Sequence, residues 1–171
     1  MKNNQAITIS ALRGLAPALL TFNLFACNAN NNSASDSWTA RVRGHTIQYE
    51  IRATPTVGDN GLALAEGFGS NCKITMTATA TNRQDVAAIL AHEVGHCLDH
   101  LELGWSHNGF KDEGKVYAPF FANPAEGYAE TYARVYIETC GQLLQPLGWK
   151  FRHDGDCSLP DPKTVTVANV R

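Results

Sequence analysis

The chain has 171 residues, with 14 Lys and Arg against 16 Asp and Glu, and a formal net charge of −2. This slight acidic excess excludes the basic footprint of a nucleic-acid-binding protein. The length is sufficient for one domain with a core of its own.

Residues 1–26 have the pattern of an export signal. Their only charged residues are Lys2 and Arg13, and residues 14–26 form an apolar run. This run is shorter than the roughly 20 apolar residues that a membrane-spanning helix needs. We therefore expect residues 1–26 to be removed and the remainder, with sixteen acidic and twelve basic residues, to be exported.

The sequence Leu24-Phe25-Ala26-Cys27 resembles a bacterial lipobox. It predicts a lipid on Cys27 that attaches the protein to the cell envelope, in the outer membrane or periplasm, as its only membrane contact. Ordinary cleavage near this position, with secretion of the protein, is the alternative. Residues 27–37 are rich in Asn and Ser, which is typical of a flexible tether, so the folded domain is expected over residues 38–171.

Alternation of apolar and polar residues predicts the strands that open this domain. We expect a hairpin over 38–53 that turns at Arg43-Gly44, a short strand over 62–65 and a further strand over 72–78. Gly-rich segments over 54–61 and 67–71 are predicted loops.

The run His92-Glu93-Val94-Gly95-His96 has the spacing H-E-x-x-H. Residues four apart lie on one face of a helix, so both imidazoles can reach one ion, and Glu93 can take a proton from a bound water. The alternative is an ordinary surface helix with two solvated histidines and a solvated Glu93.

The residues around this run predict an amphipathic helix. Thr81 or Asn82 is a candidate N-cap, and Gly104 is a usual C-terminal stop. His92 and His96 lie on one side of this helix. The other side is a broad apolar face of six residues: Val86, Leu90, Val94, Cys97, Leu98 and Leu101. The apolar face is expected to lie in the core while the histidines face a cleft.

A second helix is predicted from Ala125 to about Thr139, with Asn123 as its cap and Pro124 at its first position. Glu126 and Glu130 share a face of it, so one can bind zinc and the other can hold a zinc-binding imidazole. An exposed acidic face beside Arg134 is the alternative.

Other histidines are weaker ligand candidates. His107 lies in a predicted loop and stays an alternative third ligand, whereas His100 fits a polar residue at the helix end better. His45 and His153 are expected at the surface. The aromatic-rich segment 104–121 joins the two helices and is predicted to form a wall or lid of the cleft.

The segments H-E-V-G-H-C-L-D and N-P-A-E-G-Y-A-E-T-Y-A resemble the gluzincin group of zinc metallopeptidases, in the pattern of the anthrax lethal factor catalytic domain. The resemblance implies that Glu126 is the third zinc ligand and that Glu130 and Asp99 support the ligands from behind. It implies a tyrosine that stabilises the oxyanion, for which Tyr117 is the nearest candidate and Tyr128 or Tyr132 are alternatives. It also implies that the strand before the motif helix, over Lys73–Thr79, is an exposed edge that pairs with a peptide.

Four cysteines remain beyond Cys27, and an even number in an exported chain indicates disulfides with three possible pairings. Cys140 and Cys157 flank a loop that a disulfide would close. A Cys72–Cys97 disulfide would join the predicted strand to the motif helix. The tail is predicted to add a strand at 164–170.

Together these features predict an α+β, zincin-like domain, with a small mixed sheet packed on an active-site helix and a second ligand-bearing helix. The predicted function is a Zn²⁺-dependent endopeptidase that acts on a protein or peptide substrate. The alternatives are a non-catalytic zinc-binding envelope lipoprotein and a secreted effector with one narrow protein target.

Overall fold

A four-stranded mixed sheet forms one layer of the protein. A computed structural model describes residues 36–53, 61–111 and 122–169. The strands are β1 (Asp36–Val42), β2 (His45–Arg52), β3 (Ala63–Phe68) and β4 (Asn71–Thr77). The predicted signal, Cys27 and the loop over 54–60 lie outside the described residues. The predicted tether over 27–37 is too long at its end, because β1 already begins at Asp36.

The strand order is β1-β2-β4-β3, with β2 and β4 parallel and the two outer pairs antiparallel. The predicted hairpin is confirmed: β1 and β2 join through Arg43 and Gly44, which have φ values of 49° and 83°. Positive φ at both central residues is the requirement of a type I′ turn, whose twist matches that of the flanking strands.

The prediction that the strand before the motif helix is a sheet edge is wrong. Ile74 in β4 lies opposite Tyr49 in β2 on one side and opposite Ala65 in β3 on the other. β3 is longer than predicted and includes Gly67 and Phe68, so it covers the side of β4 that would have been open. The edge on this side of the sheet is therefore β3.

Three α-helices are described: α1 (Ala78–Thr81), α2 (Val86–Leu98) and α3 (Pro124–Cys140). The predicted start of the motif helix at Thr81 or Asn82 is wrong, because the Thr77 side chain caps the separate α1 and α2 begins only at Val86. Its predicted end is confirmed: a π-helical turn over Asp99–Leu103 follows α2 and stops at Gly104, whose φ is 62°. None of the described helices is long and apolar enough to cross a membrane.

α3 has the predicted cap and nearly the predicted bounds. The Asn123 side chain accepts a hydrogen bond of 3.0 Å from the backbone N–H of Ala125, and Pro124 occupies the first turn. Pro124 lacks an N–H that would otherwise have no partner in this turn, and its fixed φ suits a helix start. The start of α3 is therefore well defined, two residues before Glu126.

The core lies between the sheet and the two long helices. The predicted apolar face of α2 is buried, with Leu101 partly so, against residues of β2 and β4 such as Ile47 and Ile74. Tyr128 and Tyr132 are fully buried on α3, and their hydroxyls donate to the backbone carbonyls of Pro162 and Pro160. These bonds hold the tail along α3 as two short 3₁₀ turns, Pro162–Thr164 and Val167–Asn169. The predicted tail strand is therefore wrong over its described part.

Two disulfides join the pairs that the sequence favours. The Cα atoms of Cys72 and Cys97 are 5.5 Å apart, and those of Cys140 and Cys157 are 5.6 Å apart. Both distances are usual for disulfides. The first links β4 to α2, and the second links the end of α3 to the segment that leads into the tail.

Replacement of both Cys72 and Cys97 by Ala should lower the free energy of unfolding by about 3 kcal/mol, because the unfolded chain gains freedom. Urea unfolding of the purified protein under non-reducing conditions measures this. Dithiothreitol should destabilise the wild type more than this variant, which has only the Cys140–Cys157 disulfide to lose. An unchanged urea midpoint with an unchanged slope would contradict a stabilising Cys72–Cys97 bond.

Candidate metal centre

The helices α2 and α3 approach each other closely at Gly95. A Cβ atom built on Gly95 would lie 3.1 Å from Cβ of Tyr132 and 3.2 Å from Cα of Ala129. Neither atom can move without the backbone of α3, so any larger residue at position 95 would push the helices apart. Gly95 thus allows the short separation at which Glu126 of α3 reaches the two histidines of α2.

His92, His96 and Glu126 form a group of three possible metal ligands. Their ligand atoms lie within 4.8 Å of one another. Nε2 of His92 is 3.1 Å from Oε2 of Glu126 and 3.2 Å from Nε2 of His96. The third side of the triangle, from Nε2 of His96 to Oε2 of Glu126, is 3.5 Å.

These distances fit a small tetrahedral ion. Zinc bonds of 2.0–2.2 Å at tetrahedral angles place neighbouring ligand atoms about 3.3–3.5 Å apart. Two imidazoles and a carboxylate are also a ligand set that catalytic zinc sites use, with a fourth position left for water or substrate. Both the geometry and the chemistry of the three residues therefore fit zinc.

Glu130 supports His92 from the other side of the ring. Its Oε2 is 3.6 Å from Nδ1 of His92, and its Oε1 accepts hydrogen bonds from Arg134. Burial lowers the pKa of His92, but the carboxylates of Glu126 and Glu130 outweigh it and raise this pKa to about 9. The pKa of Glu130 is held below its usual value, mainly by His92. The carboxylates around His92 thus stabilise positive charge at this place.

Glu93 is buried beside the ligand group and contacts the edge of the sheet. Only 8% of the surface of Glu93 is exposed, and this burial raises the pKa of its carboxyl group. His92 and His96 act in the opposite direction. The nearby backbone N–H of Ala65 in β3 also lowers this pKa, and it is the weakest of these influences. Glu93 is therefore held between the ligand group and the edge strand.

Asp99 is fully buried at the end of α2, and its described hydrogen bonds join it to His107. Oδ1 accepts from the backbone N–H of His107 at 2.8 Å, and Oδ2 is 2.5 Å from Nδ1 of the His107 ring. Asp99 therefore stabilises the loop after α2, whereas the resemblance implied that it supports the metal ligands. His107, the alternative third ligand, pairs with Asp99 and is not part of the ligand group found among the described residues.

The remaining candidates are placed as follows. Tyr128 and Tyr132 use their buried hydroxyls to bind the tail, so neither presents a free hydroxyl to a substrate. Tyr117 lies outside the described residues, so its assignment stays a prediction. His45 is 3.4 Å from Glu102 in an ion-pair cluster, and His153 is exposed. The ring of His100 packs against Gly67 and Trp105.

Comparisons with protein-family models, with curated protein sequences and with solved structures gave no significant match.

Sequence reasoning missed two contacts of the site. The contact of Ala65 with Glu93 depends on the strand order, which the sequence pattern of β3 and β4 does not reveal. The pairing of Asp99 with His107 could have been anticipated from the sequence. Asp99 lies on the histidine side of the helix, and a buried carboxylate there needs a partner.

The variant Gly95→Ala should fold, because Ala is favoured over Gly in a helix by about 1 kcal/mol. It should bind zinc more weakly than the wild type, since the added methyl group forces α3 and Glu126 away from α2. Zinc titration against a competing chelator, with thermal unfolding of the metal-free protein as the check on folding, tests this. An unchanged zinc affinity would show that the spacing at Gly95 is not needed.

Substitutions of Glu126 and of Glu130 should lower zinc affinity to different extents. Glu130→Gln should cost about 10- to 100-fold, the usual effect of losing a group that orients a ligand. Glu126→Ala should cost more, because it removes a donor atom itself. The control is Glu138→Ala, an exposed glutamate on the same helix, which should retain wild-type affinity.

If Glu126→Ala binds zinc as the wild type does, Glu126 is not a ligand. The same titration on Glu130→Ala and His107→Ala would then identify the third donor.

Proposed function

We propose that the protein is a zinc-dependent endopeptidase of the zincin-like type. The observation that carries the proposal is the triangle of ligand atoms from His92, His96 and Glu126, with a buried carboxylate from Glu93 beside it. A site that only stores zinc has no need of this fourth group, whereas hydrolysis requires a base. When bound, zinc would supply the Lewis-acid activation of water and of a carbonyl group.

Glu93 has the properties of a general base. Burial raises the pKa of its carboxyl group above the usual value, which makes the carboxylate a stronger base. It would accept a proton from the water that attacks the peptide carbonyl and deliver it to the leaving amine nitrogen.

The open edge of β3 supports the proposal that the substrate is a polypeptide. β4 pairs with one side of β3, and among the described strands no other pairs with β3. An extended peptide can add to such an edge through backbone hydrogen bonds. Since Ala65 contacts Glu93, a peptide on this edge would lie beside the base and the ligand group.

We also propose that the enzyme acts outside the cytoplasm, anchored through Cys27. The export pattern of residues 1–26 supports this, and so do the two disulfides, which are rare in reducing compartments.

Glu93→Gln should lower the rate of peptide hydrolysis by about 10²- to 10⁴-fold, because it removes the base, and should leave zinc content unchanged. Zinc is measured by metal analysis of the purified protein, and hydrolysis by mass spectrometry of a mixed peptide library. Glu138→Gln makes the same chemical change at an exposed position and should retain the wild-type rate. A full rate in Glu93→Gln would refute the mechanism.

The same assays separate the alternative functions. Zinc with broad cleavage indicates a general peptidase, and zinc with cleavage of one protein but no generic peptide indicates a narrow-target effector. Zinc without any cleavage favours a zinc-binding module, and a protein that binds no zinc overturns the proposal.

A further inference from the structure

Trp105 is an exposed aromatic residue beside the candidate site. It retains 41% of its surface exposed, although large apolar side chains are costly to leave in water. A Cβ atom built on Gly67 in β3 would lie 2.7 Å from Cζ2 of Trp105, so the indole lies directly against the strand at this point. The ring thus belongs to the surface that borders the β3 edge.

The backbone around Trp105 is held in an unfavourable conformation. Trp105, His107 and Asn108 have φ values of 64°, 52° and 48°, in the left-handed region that residues with a Cβ atom rarely adopt. Strained backbone of this kind persists only where its surroundings enforce it, and it clusters at ligand-binding sites.

Several contacts enforce this conformation. The N–H of Trp105 donates to the carbonyl of Asp99, and Asp99 also holds His107 through two contacts. The Asn108 side chain donates to the carbonyls of Lys163 and Val165 in the tail. Behind the indole, the ring of His100 lies at 5.0 Å between centroids. The loop thus presents the indole on a rigid support.

The spacing along β3 relates Trp105 to the reacting bond. Ala65 marks the level of Glu93, and Gly67 follows two residues later on the same face, about 6.6 Å further along the strand. Side chains of an extended peptide on this edge would repeat at the same interval. The side chain level with Gly67 would therefore belong to a residue within about two positions of the bond that is cut.

We propose that Trp105 is a specificity-determining residue, and that the substrate carries an aromatic side chain that packs on its indole. This inference rests on the proposed peptidase function. The absence of a side chain at Gly67 lets the rings of His100 and Trp105 lie against the strand, and the exposed part of the indole remains open to a substrate ring. Aromatic pairs in this geometry contribute beyond the area that they bury.

Binding can be tested without turnover in the full chain carrying Glu93→Gln. The probes are fluorescein-labelled octapeptides of Ala and Ser in which one Phe is moved through the central positions. Fluorescence anisotropy should show about tenfold tighter binding when Phe occupies one particular position, and Trp105→Ala should abolish this preference. Phe151→Ala is the matched control, because Phe151 is also exposed, at 50%, but packs with Trp38 and Trp149 instead.

Cleavage of the same peptides by protein with Glu93 intact gives an independent result. With Trp105→Ala, kcat/KM should fall about tenfold for the favoured Phe peptide and less than about twofold for the all-Ala/Ser peptide. A Phe preference that survives in Trp105→Ala, or that Phe151→Ala also removes, overturns the inference, and so does the lack of any preference. A Trp105-dependent preference in binding without any cleavage supports the inference on Trp105 and refutes the peptidase.

Discussion

The close contact of α2 with α3 at Gly95 is the constraint on which the candidate site depends. His92 and His96 come from one helix and Glu126 from the other, so the triangle of 3.1–3.5 Å exists only at one interhelical distance. The same contact is made by Ala129 and Tyr132, which lie on the side of α3 that is buried. The same packing of α2 on α3 therefore buries part of the core and brings the three candidate ligands together.

The sheet contributes to the site through β3 and not through the strand before the motif. β4 is fixed on α2 by the Cys72–Cys97 disulfide and is paired on both sides, so its role is structural. β3 lies outside it and brings the Ala65 N–H near Glu93. The small residues of this strand, Ala63, Ala65 and Gly67, let the helix and the loop after it approach the strand closely.

The sequence was most informative where one periodic pattern decided the structure. The helix α2 followed from its apolar face and from the stop at Gly104, α3 followed from the cap at Asn123 and from Pro124, and the hairpin followed from the Arg43-Gly44 turn. The strand order could not be predicted, because β3 and β4 have similar lengths and neither pattern specifies a partner. The start of α2 was missed because Thr77 caps a separate short helix, and the tail strand because tyrosine hydroxyls of α3 bind the tail's carbonyls.

The position of Ala65 near Glu93 has a consequence for how a substrate would bind. A buried carboxylate is sensitive to nearby N–H groups, and here one of them belongs to the backbone of the edge strand. Any shift of β3 relative to α2 would then change the surroundings of the carboxylate. The position of the proposed base is thus tied to the strand on which the proposed substrate pairs. The loop at the end of α2 holds Trp105 against the same strand, so the proposed base, the edge of β3 and the indole all lie along one strand.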